Sequence, residues 1–564
     1  MSTKMPFHKY RPFAPIGLTD RTWPNRVIDD APLWCSVDLR DGNQALVEPM
    51  GPERKLRMFK ELVRMGFKQI EVGFPSSSQP DFDFVRQIIE QGLVPDDVTI
   101  QVLTQARGEL IERTFEAIRG SKRAIVHLYN STSTLQRRVV FGLPRAGIVD
   151  IAVRATTLIK QLAAKIPETD VILEYSPESF TGTELDFAKE ILEAVMDAWQ
   201  PTPERKVIFN LPSTVEMSTP NIYADQIEWI SRNVKDRDSY VLSVHPHNDR
   251  GTGVAACELA LMAGADRVEG TLFGNGERTG NLDIVNVALN LFSQGVDPEL
   301  DISNIDAMKE LVEHCNRLPV PARHPYAGEL VYTSFSGSHQ DAIKKGMRAR
   351  AERGDVVWEV PYLPIDPADV GRSYEAVIRV NSQSGKSGVA YVLEQDFGFV
   401  LPKELSQELS QRVQREAERR EGEVSPSDIR ALFEQEYVNR TDGFELTRYE
   451  SRSEGSGERH LFTLDVGGKK SVIGAQASGP IDAFMSALGA DAQVTYNLDT
   501  YSEHALGQGR DARAVAYVRI SDSTGKRSAG VGIHASIVTA SLYAISTALN
   551  RAGAIPQPIV RAAE

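Results

Sequence analysis

Short β-branched runs alternate with longer amphipathic stretches from Trp34 to about residue 277, and this alternation predicts repeated strand–helix units. The strand candidates are WCSVDLRD from Trp34, QIEVGFP from Gln69, TIQVLTQ from Thr99, RAIVHLYNS from Arg123, VILEYSPE from Val171, VIFNLPST from Val207, VLSVHPHND from Val241 and RVEGTLFGNGE from Arg267. Eight strands in about 250 residues is the count and size of a TIM (β/α)₈ barrel, the expected fold class. A doubly wound open sheet has the same local pattern, because strand count does not establish closure.

Helical spacing of apolar positions marks Glu53 to Met65, Phe82 to Ile89, Leu110 to Ile118, Ile148 to Ile166 and Leu185 to Trp199, with Gly66, Gly120 and Gly264 where helix C-caps belong. Beyond the barrel, a Ser/Gly/His stretch (SFSGSHQDAIKKG), a Pro-rich turn (VPYLPIDP) and a charged helical run from Lys403 to Arg420 read as a small linker region. Strand-like HLFTLDV and AVAYVRI and the terminal helix SIVTASLYAISTALNRAG then read as a separate α+β domain. The expected division is residues 1–325 for a barrel with an N-terminal extension, 326–434 for linker subdomains and 435–564 for the terminal domain.

Composition narrows the class. A chain of 564 residues exceeds the size at which one core stops growing, about 250 to 300 residues. Its 41% hydrophobic and 25% charged content is that of a globular protein, with neither a membrane span nor a secretory signal, so a cytoplasmic location is expected. A formal net charge of -14 argues against nucleic acid as a partner. Three widely spread cysteines, Cys35, Cys257 and Cys315, fit free thiols better than disulfides or a thiolate zinc cluster.

Three motifs fall at predicted strand ends, where TIM barrels carry their active sites. In LRDGNQ (Leu39 to Gln44), Asp41 offers a hard oxygen to a divalent metal and Arg40 a permanent cation for a developing oxyanion. In SVHPHNDRGTG (Ser243 to Gly253), His245 and His247 alternate onto one side of a strand and can share a metal with Asp41. In GNGERTGN (Gly274 to Asn281), the glycines allow close backbone approach and Asn281 offers an amide oxygen. LRDGNQ and GNGERTGN each also read as an ordinary turn, and a single histidine at a strand end as a satisfied core or surface residue. His127, Glu178 and Thr214 fall on or at the ends of strands facing the same mouth, where they could grip a carboxylate or handle protons. His339 lies outside the barrel on a flexible Ser/Gly segment, as a candidate base or a solvent-exposed histidine.

Together LRDGNQ, Lys55 eleven positions after Gln44, HPHNDRGTG and GNGERTGN resemble the signatures of the 2-isopropylmalate synthase and homocitrate synthase family. The likeness continues through HLYNSTS, EYSPESFTGTE, the linker and the terminal domain, and is greatest to the family's longer form. The resemblance implies a metal held by Asp41, His245, His247 and Asn281, with Mg²⁺ first and Mn²⁺ or Zn²⁺ as alternatives. It implies Arg40, Glu178 and His339 as catalytic groups, and His127, Thr214 and Gln44 as substrate-binding groups. It further implies condensation of acetyl-CoA with 2-oxoisovalerate and feedback inhibition by leucine. A homodimer is implied as well, in which the linker, and His339 with it, reaches the neighbouring barrel. Homocitrate synthase, citramalate synthase and a related metal-dependent acyl-CoA lyase remain open alternatives.

Overall fold

The computed structural model describes residues 5–334, 336–354, 356–372, 386–420, 424–454, 457–507, 509 and 512–557. The family likeness of the linker includes the run PYLPIDPADVGRSYEAVIRVNSQSGK, whose residues 373–385 lie outside the described residues. The chain divides into two compact units, Met1–Val331 with Ile365–Ser373, and Tyr332–Pro364 with Tyr374–Glu564.

The first unit is built on eight parallel strands: β1 (Leu33–Ser36), β2 (Gln69–Gly73), β3 (Thr99–Gln105), β4 (Arg123–Ser131), β5 (Asp170–Glu178), β6 (Val207–Ser213), β7 (Tyr240–Pro246) and β8 (Arg267–Gly270). They close in sequence order, and β1 pairs with β8 in the register Leu33↔Arg267 to Ser36↔Gly270. Closure excludes the open sheet. All seven residues of β6 are buried, as expected of a parallel strand covered on both faces. Helix α1 (Pro52–Met65) starts with a proline at its first position and stops at Gly66 in the left-handed conformation; its buried Met58, Phe59, Leu62 and Met65 form the inward stripe. Helix α2 (Gln79–Glu90) follows β2, with Ser78 as its N-cap. The N-terminal extension is tied to the helix Pro220–Asn233, where Asp225 accepts from the Trp23 indole at 2.7 Å and Glu228 accepts the Thr22 and Trp23 amides.

The second unit contains the helices Gly337–Arg353, Lys386–Phe397, Lys403–Arg420 and Pro426–Tyr437, then two antiparallel three-stranded sheets and two further helices. The first sheet joins β9 (Glu445–Glu454), β10 (Gly457–Val466) and β11 (Lys469–Gln476); the second joins β12 (Asn497–Leu506), β13 (Arg513–Ser521) and β14 (Arg527–His534). Phe462, Phe484, Leu488, Ile520, Ile545 and Leu549 are among the residues of their common core. The stretch TGKRSAGVGIHAS from Thr524, rich in small residues, is mostly strand β14 rather than a loop. Its small residues serve packing, since a Cβ on Gly532 would come within 1.8 Å of the Ala540 carbonyl oxygen of the helix Ile537–Ala552.

Candidate active site

Strand β1 stops at Ser36, five residues short of the sequence expectation, and Asp38–Gly42 winds instead into a single π-helical turn. Such turns are uncommon and concentrate at functional sites. The reason is polar anchoring: the Asp38 carboxylate accepts the Leu272 amide at 3.1 Å and the Ser36 hydroxyl at 2.8 Å, tying the turn to the end of β8. The turn presents Arg40 and Asp41 at the barrel mouth.

There Asp41, His245 and His247 place ligand atoms that all lie within 4.8 Å of one another. His245 Nε2 is 3.3 Å and His247 Nε2 is 3.9 Å from Asp41 Oδ2, and the two rings stack with centroids 5.3 Å apart. Asn281 joins them, its Oδ1 lying 2.9 Å from His245 Nε2. Backbone geometry puts it there, because His247 and Asn281 form an antiparallel bridge and the Asn248 amide donates to the Gly280 carbonyl. Gly276 makes this approach possible, since a Cβ at that position would sit 2.4 Å from the Asn281 amide nitrogen.

The donor set fits a divalent cation. Burial raises the Asp41 pKa, but Arg40 and His245 outweigh it and hold the carboxyl ionised, well below its usual range. Burial lowers the His245 pKa, yet the Asp41 and Glu269 carboxylates overcome this and push it up to about 10. The field thus favours positive charge beside His245, as a proton or as a metal ion. His247 is lowered to about 4 by burial and by His245, so its imidazole stays neutral near pH 7, with Nε2 turned to the cluster. Glu269 Oε2 lies 2.8 Å from His245 Nδ1, which orients the ring and frees Nε2 for a metal. Glu269→Gln is therefore expected to weaken divalent-metal binding by about 10 to 100-fold in a calorimetric titration. An unchanged affinity would remove the orienting role.

Arg40, largely buried, gives Nε to Glu71 Oε2 at 2.5 Å and Nη1 to Asp41 Oδ1 at 2.8 Å. The other Glu71 oxygen lies 2.8 Å from His127 Nδ1, and His127 Nε2 is 2.7 Å from the Ser176 hydroxyl. Beneath them runs a layer of buried charge in which the fully buried Arg267 reaches Glu269 at 3.0 Å and Glu174 at 3.3 Å. Burial pushes the Glu174 carboxyl up to about 8 despite Arg267.

A cavity of about 200 Å³ opens on this cluster, and Arg40, Asp41, Gln44, His127, Glu178, Thr214, His245 and His247 all line it. Thr214 Oγ1 accepts the Ser179 amide at 2.9 Å, and the Glu178 carboxylate accepts the Ser131 hydroxyl. Phe74, Leu103, Tyr129 and Pro212 supply apolar wall, and Ser176, Asn210, Glu277 and Arg278 further polar groups. His339 belongs to the second unit; it sits in the first turn of the helix Gly337–Arg353, not in a flexible segment, with its ring stacked 4.1 Å from that of Tyr362.

Glu71, Glu174, Arg267 and Glu269 were missed in the sequence because they lie within strands β2, β5 and β8, ahead of the strand-end motifs. The available signal was parity: Arg267 and Glu269, two apart on a four-residue strand, share one face, and the barrel interior is that face.

A family model described as HMGL-like matches residues 31–312, one described as alpha-isopropylmalate synthase, post-catalytic domain-like, matches 329–394, and one described as LeuA allosteric (dimerisation) domain matches 423–553. The chain is 60% identical to a 2-isopropylmalate synthase of Parafrankia sp. (strain EAN1pec), with 97% of this chain and 98% of that protein covered. It is 57% identical to the protein of the same name from Rhodospirillum rubrum, covering 97% and 98%, and 57% identical to that of Mycobacterium ulcerans, covering 97% and 100%.

Proposed function

The chain belongs to the 2-isopropylmalate synthase family, and on that premise we propose that the barrel mouth condenses acetyl-CoA with 2-oxoisovalerate, giving 2-isopropylmalate and CoA. The observation that carries this reading is the Asp41, His245 and His247 cluster with Arg40 salt-bridged beside it on one cavity. Asp41, His245, His247 and Asn281 would hold a divalent cation, Mg²⁺ first and Mn²⁺ or Zn²⁺ next for such mixed oxygen and nitrogen donors. When bound, that ion supplies Lewis acidity to a chelating 2-oxo acid.

The protein's own groups do the rest. Thr214, His127 and Gln44 hold the substrate carboxylate and orient the ketone. Glu178, with His339 carried in by the neighbouring protomer's linker, removes one proton from the acetyl methyl group, leaving a thioester enolate. The enolate carbon attacks the ketone carbon, and the carbonyl electron pair moves onto oxygen facing the Arg40 guanidinium. That oxygen takes up a proton, and water then cleaves the thioester to release the CoA thiol.

The test is thiol release from acetyl-CoA with 2-oxoisovalerate, pyruvate or 2-oxoglutarate, each with Mg²⁺, Mn²⁺ or Zn²⁺. Turnover is expected with 2-oxoisovalerate; release with 2-oxoglutarate alone would make the protein a homocitrate synthase instead. No helix among the described residues is long and apolar enough to cross a membrane, in keeping with the cytoplasmic location we assign.

We assign residues 1–325 to catalysis, 326–434 to the linker and 435–564 to a regulatory domain that binds leucine in a homodimer. The description of the 423–553 match as an allosteric and dimerisation domain supports this. Inhibition from a separate site requires leucine to favour the less active state. Truncation near residue 430 and Gly479→Asp are both expected to abolish leucine inhibition of thiol release. The point change is the gentler probe: a Cβ at Gly479 meets nothing within 4 Å, and the residue is the N-cap of the helix Pro480–Ala492, where Asp is favoured. Undiminished inhibition in either active variant would move the leucine site elsewhere.

A further inference from the structure

Lys55 stands in the sequence signature eleven positions after Gln44, yet the chemistry above gives it no part. It lies on α1 with its side chain 3% exposed, and its ammonium contacts Asp81 Oδ1 at 2.5 Å. A buried ammonium is tolerated only when paired, so this contact is not an incidental surface bridge. Asp81 is in the first turn of α2, where the helix dipole favours a carboxylate, and its amide faces the Ser78 N-cap hydroxyl. Its second oxygen, Oδ2, accepts the Phe74 amide at 2.8 Å.

One carboxylate thus ties α1 to the turn that follows β2. The ring carried by that turn forms part of the cavity wall, and it packs edge-on against Tyr129, another wall residue, with centroids 6.4 Å apart. We propose that Lys55 and Asp81 are a positioning pair that holds Phe74 in place as a wall of the substrate cavity, without either touching substrate. The proposal rests on the reading that this cavity takes the 2-oxo acid. It separates the role of β2 from that of the turn after it, because Glu71, three residues before Phe74, fixes Arg40 through a different bond. Disturbing the turn then alters the fit of the 2-oxo acid more than the charge stabilisation of the reacting oxygen.

The experiment uses the full-length protein and compares Lys55→Met, Lys55→Met with Asp81→Asn, Phe74→Ala, and Phe74→Ala with Lys55→Met. Melting temperature, metal content, and kcat and KM for 2-oxoisovalerate are measured for each. Lys55→Met is expected to raise KM about tenfold with kcat within about threefold of the starting protein, a small misplacement of a group outside the chemistry. The Lys55→Met, Asp81→Asn protein carries no unpaired charge and keeps an oxygen for the Phe74 amide, so it should recover most of the lost KM. In the Phe74→Ala background Lys55→Met should change KM by less than about twofold, because coupled residues are not additive.

A folded Lys55→Met protein with unaltered KM would overturn the proposal. So would a loss confined to kcat, full additivity with Phe74→Ala, or a double variant with restored melting temperature and the single variant's KM. Absence of 2-oxoisovalerate turnover in the unsubstituted protein would overturn the functional reading, and this proposal with it, before any variant is compared.

Discussion

Arg40→Lys lowers kcat by about 100 to 1,000-fold, the usual cost of losing one preorganised donor at a developing oxyanion. The positive charge survives this substitution, so the loss isolates geometry. The guanidinium spends Nε on Glu71 and Nη1 on Asp41, which fixes the plane of the fork and aims its remaining donors at the cavity. A lysine ammonium is a point charge on a shorter-reaching, rotatable stem; it can satisfy one carboxylate but cannot hold two in a plane while donating to a third oxygen. The loss should fall on kcat at saturating substrates, with metal content and melting temperature close to the starting protein's. A fall of less than about threefold would place Arg40 away from the reacting oxygen.

Asp41→Ala and His247→Ala are each expected to strip the protein of bound divalent metal and lower turnover by more than about 100-fold, beyond the roughly 10 to 100-fold typical of groups behind the ligands. The structure also orders the two. His247 is neutral and its Nδ1 has no hydrogen-bond partner, so its removal deletes one donor and little else. Asp41 sits beside Arg40 and both histidines, so its removal also frees one side of the guanidinium and takes away a carboxylate that faces His245. Asp41→Ala should therefore be the more damaging. Metal analysis of purified protein alongside kcat decides: near-normal metal content in both variants would remove the metal site.

Much of the barrel could be read locally. The expected helix from Leu185 to Trp199 is the observed Leu185–Trp199, and Glu178 is the last residue of β5 as its place in the pattern implied. Strand parity pointed to His245 and His247 together; His245 lies on β7, whereas His247 is the first residue beyond it and is held by its bridge to Asn281. The errors have local causes as well. The β1 strand was drawn through Asp41 because its residues suit a strand, and the winding at Asp38 depends on the Leu272 amide, 234 positions away. His339 was placed on a flexible segment because Ser and Gly dominate SFSGSH, whereas the helix begins at Gly337 and continues through the charged run that follows.

The sequence by itself determined the repeated strand–helix units, the order in which the segments LRDG, HPH and GNGERTGN follow their strands, and the residue types offered there. Such properties depend on the order of neighbours in the chain. Only the tertiary structure decided that the sheet closes, with β1 beside β8, and that closure brings Asp41, His245 and Asn281 together. It alone chose the partners of each charge: Glu71 for Arg40 and His127, Glu269 for His245, Arg267 for Glu174, Asp81 for Lys55. The physical reason is that pKa values, metal affinity and the cost of a buried charge follow distance and dielectric in space. Asp41, in the turn after β1, meets His245 and His247 from the far end of the barrel sequence only when the barrel closes.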